Sequence, residues 1–215
     1  MNKRKATNKK VLGVILAGGQ SRRMGQNKAF LSFNNSNLIN FCFDRLKKQN
    51  IPIIINANKS KDDYSLFQVP IIADDFYAKS HQKGPLSGIL ASLIYASKHG
   101  YDAIISVAVD TPFFPTNLVE SFISYQKTNK TITVIAQSER GLQPTFGFWP
   151  ISIGKELQEY LLTNTKCKIR EFASSVNARI FTFKSEDGVD PFFNINTPDD
   201  LILANILLNK EFKHS

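Results

Sequence analysis

The stretch VLGVILAGGQSRRMGQNK, residues 11–28, decides the fold. Its first six residues, Val11 to Leu16, form an apolar run rich in β-branched side chains. A strand with one wet face alternates polar and apolar residues. A run that is apolar throughout suits a strand covered on both faces, as in a mostly parallel sheet. The strand leads directly into Gly18 and Gly19, where the backbone can turn sharply and bring N–H groups close to an anion. Arg22 and Arg23 then offer multidentate donors for phosphate oxygens, and Lys28 a mobile point charge. A tight turn with surface arginines would use the same residues, so neighbouring features must decide between the two readings. The dinucleotide fingerprint GxGxxG is absent. The P-loop pattern does not fit either, because Gly19 and Lys28 lie too far apart and Ala29 follows the lysine.

Outward from this stretch, strand and helix signals alternate. Asn37–Lys48 reads as a helix, Pro52–Asn56 as a strand, Tyr64–Gln68 as a short helix or turn, and Val69–Ile72 as a third strand. Gly84–His99 begins with a proline near a helix start and continues as an apolar stripe. Ala103–Val109 is a further buried strand. Helix Asn117–Gln126, strand Thr131–Ala136, an edge strand Thr145–Trp149, helix Gly154–Leu162, strand Ile180–Phe183 and helix Pro198–Leu208 complete the order. The pattern predicts an α/β fold, a three-layer α/β/α sandwich around a mostly parallel, Rossmann-like sheet. A basic tail, residues 1–10, precedes a single domain over 11–215.

Ligands of such sheets bind beyond the carboxyl ends of the strands. Those ends carry the glycine loop, Asn56, the pair Asp74 and Asp75, and Asp110. Asp110 can hold Mg²⁺ as a hard oxygen ligand or cap the helix that follows it. One of Asp74 and Asp75 can reach a ligand while the other caps a turn. The segment Gly84–Gly88 places amides at a helix start, suited to an anion or to plain capping. In DPFFNINTPDDL, residues 190–201, Thr197 and Asp200 form a capping box with Pro198 at the first helical position. Asn194 and Asn196, just before it, serve a site or order the turn. His81, His99 and His214 are scattered and carry no catalytic assignment.

The 215 residues, 42% hydrophobic and 21% charged, are enough for one substantial core and argue against global disorder. The net charge of +9 is concentrated at the start, where residues 1–10 carry five Lys or Arg and no acid. The rest is mildly basic, which suits a polyanionic small molecule, and nucleic-acid binding is not expected. Cys42 and Cys167 form no metal-like cluster and read as reduced thiols. With neither a signal peptide nor a membrane span, a cytoplasmic location is expected.

Taken together, LAGGQSRRMGQNK (16–28), IIIN (53–56), IIAD (71–74), GPLSG (84–88), VDTP (109–112), QPT (143–145) and NINTPDDL (194–201) resemble the molybdenum cofactor guanylyltransferases. These belong to the nucleotidyltransferase superfamily whose fold is of the nucleotide-diphospho-sugar transferase type. The resemblance covers roughly residues 11 to 208. It implies a Mg²⁺-dependent enzyme that transfers GMP from GTP to molybdopterin. By that resemblance Leu16, Ala17, Gly18, Gly19 and Lys28 look like GTP-binding positions, and Asn56 and Asp74 like further nucleotide contacts. Asp110 looks like the residue that binds both Mg²⁺ and nucleotide. Arg22 matches an arginine near the phosphates, so Arg22, Lys28 and Asp110 are the expected catalytic set. Asn194 and Asn196 match asparagines close to the site. The related cytidylyltransferases usually carry LAAG, so Gly19 favours GTP over CTP. Expected partners are molybdopterin or its molybdenum-loaded form, with transient contacts to proteins that deliver it or receive the product. A monomer is expected.

Overall fold

The computed structural model describes residues 9–18, 27–58, 61–74, 84–128, 132–185 and 188–211. The strands are β1 (Val11–Leu16), β2 (Ser32–Phe33), β3 (Ser36–Asn37), β4 (Ile53–Asn56), β5 (Ile71–Ile72), β6 (Ala103–Ala108), β7 (Val134–Ser138), β8 (Gly141–Pro150) and β9 (Arg179–Thr182). The helices are α1 (Leu38–Lys47), α2 (Pro85–Lys98), α3 (Leu118–Thr128), α4 (Gly154–Thr163), α5 (Ile169–Ser175) and α6 (Pro198–Glu211). Seven strands form one sheet in the order β5-β4-β1-β6-β8-β7-β9. β8 alone runs against its neighbours, pairing antiparallel with both β6 and β7.

The apolar run of β1 behaves as a doubly covered strand must. Val11 and Ile15 face a core layer built with Leu38, Ile39, Cys42 and Leu46 of α1, Leu118 and Phe122 of α3, and Ala204 and Leu208 of α6. Leu12, Val14 and Leu16 face the opposite layer, with Leu86, Ile89, Leu90 and Leu93 of α2, Leu157 of α4 and Phe172 of α5. The two faces together give the three-layer α/β/α sandwich.

Three departures from the sequence reading have physical causes. The expected edge strand Thr145–Trp149 lies inside the sheet as part of β8, hydrogen-bonded on both sides. Its side chains serve both layers, Phe146 and Phe148 in one and Trp149 in the other. The indole N–H of Trp149 donates to Ser106 Oγ at 2.8 Å, and that hydroxyl donates to the Thr145 carbonyl at 2.7 Å. A buried polar pair is thus satisfied without water. Helix α5 was not anticipated; it is only seven residues long, too short for its apolar residues Ile169, Phe172 and Ala173 to show a period. The β2–β3 hairpin was not anticipated either. Its turn residues Asn34 and Asn35 take φ of 50° and 57°, the positive values that a two-residue hairpin turn requires and asparagine tolerates. The strand expected over Thr131–Ala136 is β7, Val134–Ser138; Thr131 lies outside the described residues.

Candidate active site

Parallel pairing aligns the strand ends. Leu16 stands opposite Asn56 on one side and Ala108 on the other, and Asn56 stands opposite Ile72. Counting two residues beyond that row gives Gly18, Asn58, Asp74 and Asp110, and all four line one cleft with Leu16, Lys28, Asn56, Gly84, Pro85 and Thr145. Backbone bonds stitch the row together: Ala17 N–H donates to Asn56 O at 2.9 Å, Ala57 N–H to Ile72 O at 3.0 Å, and Val109 N–H to Leu16 O at 3.2 Å. The cleft therefore opens where β1 ends, as expected for a ligand site in this class of sheet.

On one wall, Lys28 Nζ lies 3.0 Å from Asp110 Oδ2 and 2.7 Å from Asn196 Oδ1. Both charged side chains are shielded, at 13% and 22% exposure, so this ion pair is less screened than one on the open surface. Asp110 is fixed from several directions. Ile195 N–H donates to its carbonyl at 2.8 Å, and Thr111 Oγ1 approaches Oδ1 at 3.4 Å. The loop beyond it is braced by α1, where Arg45 donates to the carbonyls of Phe113 and Phe114. Gln49 takes the Pro115 carbonyl and the Val119 N–H. Phe113 packs edge-on against Phe33 and tilts against Phe193, which ties the segment after Asp110 to the segment before Asn196.

The opposite wall is amide-rich. Asn56 is buried; its Nδ2 donates to the Ile72 carbonyl at 3.0 Å. Gly88 on α2 makes room for it, since a Cβ there would collide with Asn56 Oδ1. Asn58 Oδ1 accepts the Asp74 N–H at 2.9 Å. Buried Cys42 points its thiol at the Val109 carbonyl, 3.4 Å away, and burial raises its pKa strongly, so it stays a neutral packing group beneath the cleft.

A family model described as the MobA-like NTP transferase domain matches residues 13–177. The chain belongs to that family. It is a nucleotidyltransferase. It is 37% identical to a molybdenum cofactor guanylyltransferase of Rhizobium leguminosarum bv. trifolii, across 90% of this chain and 91% of the relative. It is 35% identical to one of Rhizobium johnstonii, with the same coverage of both chains. Among solved structures, molybdopterin-guanine dinucleotide biosynthesis protein A of Archaeoglobus fulgidus superposes with a TM-score of 0.74 at 22% identity. That superposition spans 93% of this chain and 99% of the other, and it supports the nucleotide-diphospho-sugar transferase type of fold.

In this MobA-like transferase, Leu16, Gly18, Lys28, Asn56, Asp74 and Asp110 come together in the cleft that the strand ends define. Ala17 is buried beside them, and Asn196 joins through Lys28. Asn194 is exposed, two residues from that contact. Gly19, Arg22 and Asp75 lie outside the described residues. Asn58 was missed because its place depends on the register between β4 and β1, which no local pattern encodes. Thr145 was quoted in a motif without a role; the structure puts it on the cleft lining.

Proposed function

We propose that the chain transfers GMP from GTP to the terminal phosphate of molybdopterin, releasing pyrophosphate and forming the guanine dinucleotide cofactor. The observation that carries this reading is the Lys28–Asp110–Asn196 cluster beside Gly18, at the aligned strand ends. The names of the relatives supply the guanine and the pterin. In the reaction a molybdopterin phosphate oxygen forms a bond to the α-phosphorus of GTP, and the bond from that phosphorus to the oxygen bridging to the β-phosphate breaks. The nucleophile is already an anion, so no strong general base is needed. The work left to the protein is to align two polyanions and offset their repulsion.

Asp110 suits Mg²⁺, because its carboxylate is a hard oxygen donor on the cleft wall and Mg²⁺ commonly takes one or two carboxylates with substrate phosphates and water. Bound there, Mg²⁺ would supply Lewis-acid polarisation of the α-phosphate. Lys28 offsets charge on the leaving pyrophosphate, and phosphates entering the cleft compete with Asp110 for its ammonium. Arg22 adds a second cation to the phosphates, and the amides near Gly18 and Gly19 hold them in place. Asn56 and Asp74 face the nucleoside end, and Asn194 and Asn196 lie close to the site. Gly19 is the sequence feature that favours GTP over CTP. Among the described residues no helix is long and apolar enough to cross a membrane. The proposed setting is a cytoplasmic monomer that meets molybdopterin carriers transiently.

The test uses molybdopterin and GTP labelled on the α-phosphate. Label recovered on the pterin, with one unlabelled pyrophosphate per transfer, is the expected result. GTP bound without any release of pyrophosphate would leave a binding protein instead.

A further inference from the structure

The capping box at the start of α6 does more than begin a helix. One oxygen of Asp200, Oδ2, accepts the N–H of Asn196 at 2.9 Å and that of Thr197 at 2.8 Å, while Asp200 N–H donates to Thr197 Oγ1 at 3.2 Å. The bonds with Thr197 form the reciprocal pair of a capping box. The bond to Asn196 is additional, and it lands on the residue whose side chain holds Lys28 at 2.7 Å. Asn196 is exposed, so packing does not fix its side chain; hydrogen bonds to its main chain must do so. Lys28 is a long side chain with much rotamer freedom to lose, so an external tether matters to where its ammonium sits.

We propose that Asp200 is a positioning residue for nucleotidyl transfer: its carboxylate locks the main chain of Asn196, and Asn196 holds the Lys28 ammonium beside Asp110. The path runs from Asp200 Oδ2 to Asn196 N, through the Asn196 amide to Lys28 Nζ, and on to Asp110 Oδ2. The bond from Ile195 N–H to the Asp110 carbonyl anchors the same short segment at its other end. Asp200 is thus remote from the reacting atoms yet charged, and the three groups between α6 and β6 alternate in sign as minus, plus, minus. The carboxyl of Asp200 is held below the ordinary carboxylate range, first by the Asn196 N–H, with the Lys28 charge contributing in the same direction. It is therefore ionised when the enzyme works. The functional part of this inference rests on the nucleotidyl-transfer reading above.

The experiment compares Asp200→Ala, Asp200→Asn, Thr197→Ala, Asn196→Ala and the double variant Asp200→Ala/Asn196→Ala. Two quantities are read: the KM for GTP in pyrophosphate release, and acetylation of Lys28 in the ligand-free protein by an amine-reactive ester, followed by mass spectrometry. Thr197→Ala removes a cap bond of α6 and leaves the bond from Asn196 to Asp200, so it is the control for helix damage. A smaller folded fraction lowers kcat and leaves KM where it was. The expected result is a rise of about tenfold in KM for Asp200→Ala, the scale of one lost charge-assisted hydrogen bond, with Lys28 acetylated severalfold faster. Thr197→Ala should move neither quantity by more than about twofold, despite a comparable fall in Tm. Asp200→Asn keeps an acceptor oxygen and should fall between wild type and Asp200→Ala. The double variant should match Asn196→Ala, because both changes cut one path. Equal effects of Asp200→Ala and Thr197→Ala, or losses that multiply in the double variant, would overturn the proposal. The acetylation needs no substrate. A wild-type chain that released no pyrophosphate would thus refute the proposed activity, while the Lys28 reactivities would still decide the role of Asp200.

Discussion

At the scale of single residues, the site depends on charges placed where water screens them poorly. Asp110 and Lys28 meet at 3.0 Å with most of both side chains shielded. Replacing Asp110 by alanine removes the carboxylate proposed to hold Mg²⁺ and leaves Lys28, among the described residues, its bond to Asn196. The chemical step should slow by about 10²–10³-fold, as when one preorganised electrostatic group is lost. Single-turnover rates at saturating GTP and Mg²⁺ measure this, and near-normal rates would remove Asp110 from the mechanism. Asp200 gives a pH-dependent prediction. Its folded carboxyl titrates below the ordinary value, so its contribution to stability is complete above that range and is lost as the pH falls through the lowered folded value. The Tm gap between wild type and Asp200→Asn should be full at pH 7, narrow below about pH 4, and close once the wild-type carboxyl is protonated. Lys28, Asp110 and the Thr197–Asp200 box could be read from sequence because each sits in a local pattern: a loop, a strand end, a helix start. Asn58 could not, since only strand register sets it level with Gly18 and Asp74.

At the scale of elements, helix α2 closes over the end of β4 through a glycine. A Cβ at Gly88 would collide with Asn56 Oδ1 and come within 3.2 Å of Leu16 Cδ2. Asn56 cannot easily step aside, because its Nδ2 is committed to the Ile72 carbonyl. Gly88→Ala should cost about 1–3 kcal/mol of stability from overpacking and weaken GTP binding, read by thermal unfolding and calorimetric titration. An unchanged Tm would show that the helix can shift and that the notch is loose. The alternation of strands and helices was legible because buried runs such as AIISVAV and amphipathic stretches such as Leu38–Leu46 carry their own periods. The place of β8 was not. An antiparallel strand inserted into a parallel sheet has the same local composition as an edge strand, and only its two neighbours make it interior. The Phe146, Phe148 and Trp149 side chains that fill both layers are consistent with that position.

At the scale of the whole molecule, the sheet converts a scattered set of residues into a site. Gly18, Asp74 and Asp110 are far apart in sequence and adjacent in space because β5, β4, β1 and β6 are parallel and in register. This convergence is legible in the sequence because ligands of such sheets sit beyond the strand ends, whatever the strand order. Removing residues 1–8 should leave kcat and KM for GTP unchanged within about twofold, since a short basic stretch that carries no site motif reads as a solubilising tail; a large loss would assign the tail to substrate capture. The central claim, guanylyl transfer to a pterin phosphate, is tested most directly by pyrophosphate release from molybdopterin with GTP, CTP, ATP or UTP under identical conditions. The account predicts release with GTP in strong preference to the other three, one pyrophosphate for each dinucleotide formed. Preference for CTP would contradict the base assignment, and no release with any nucleotide would contradict the activity itself.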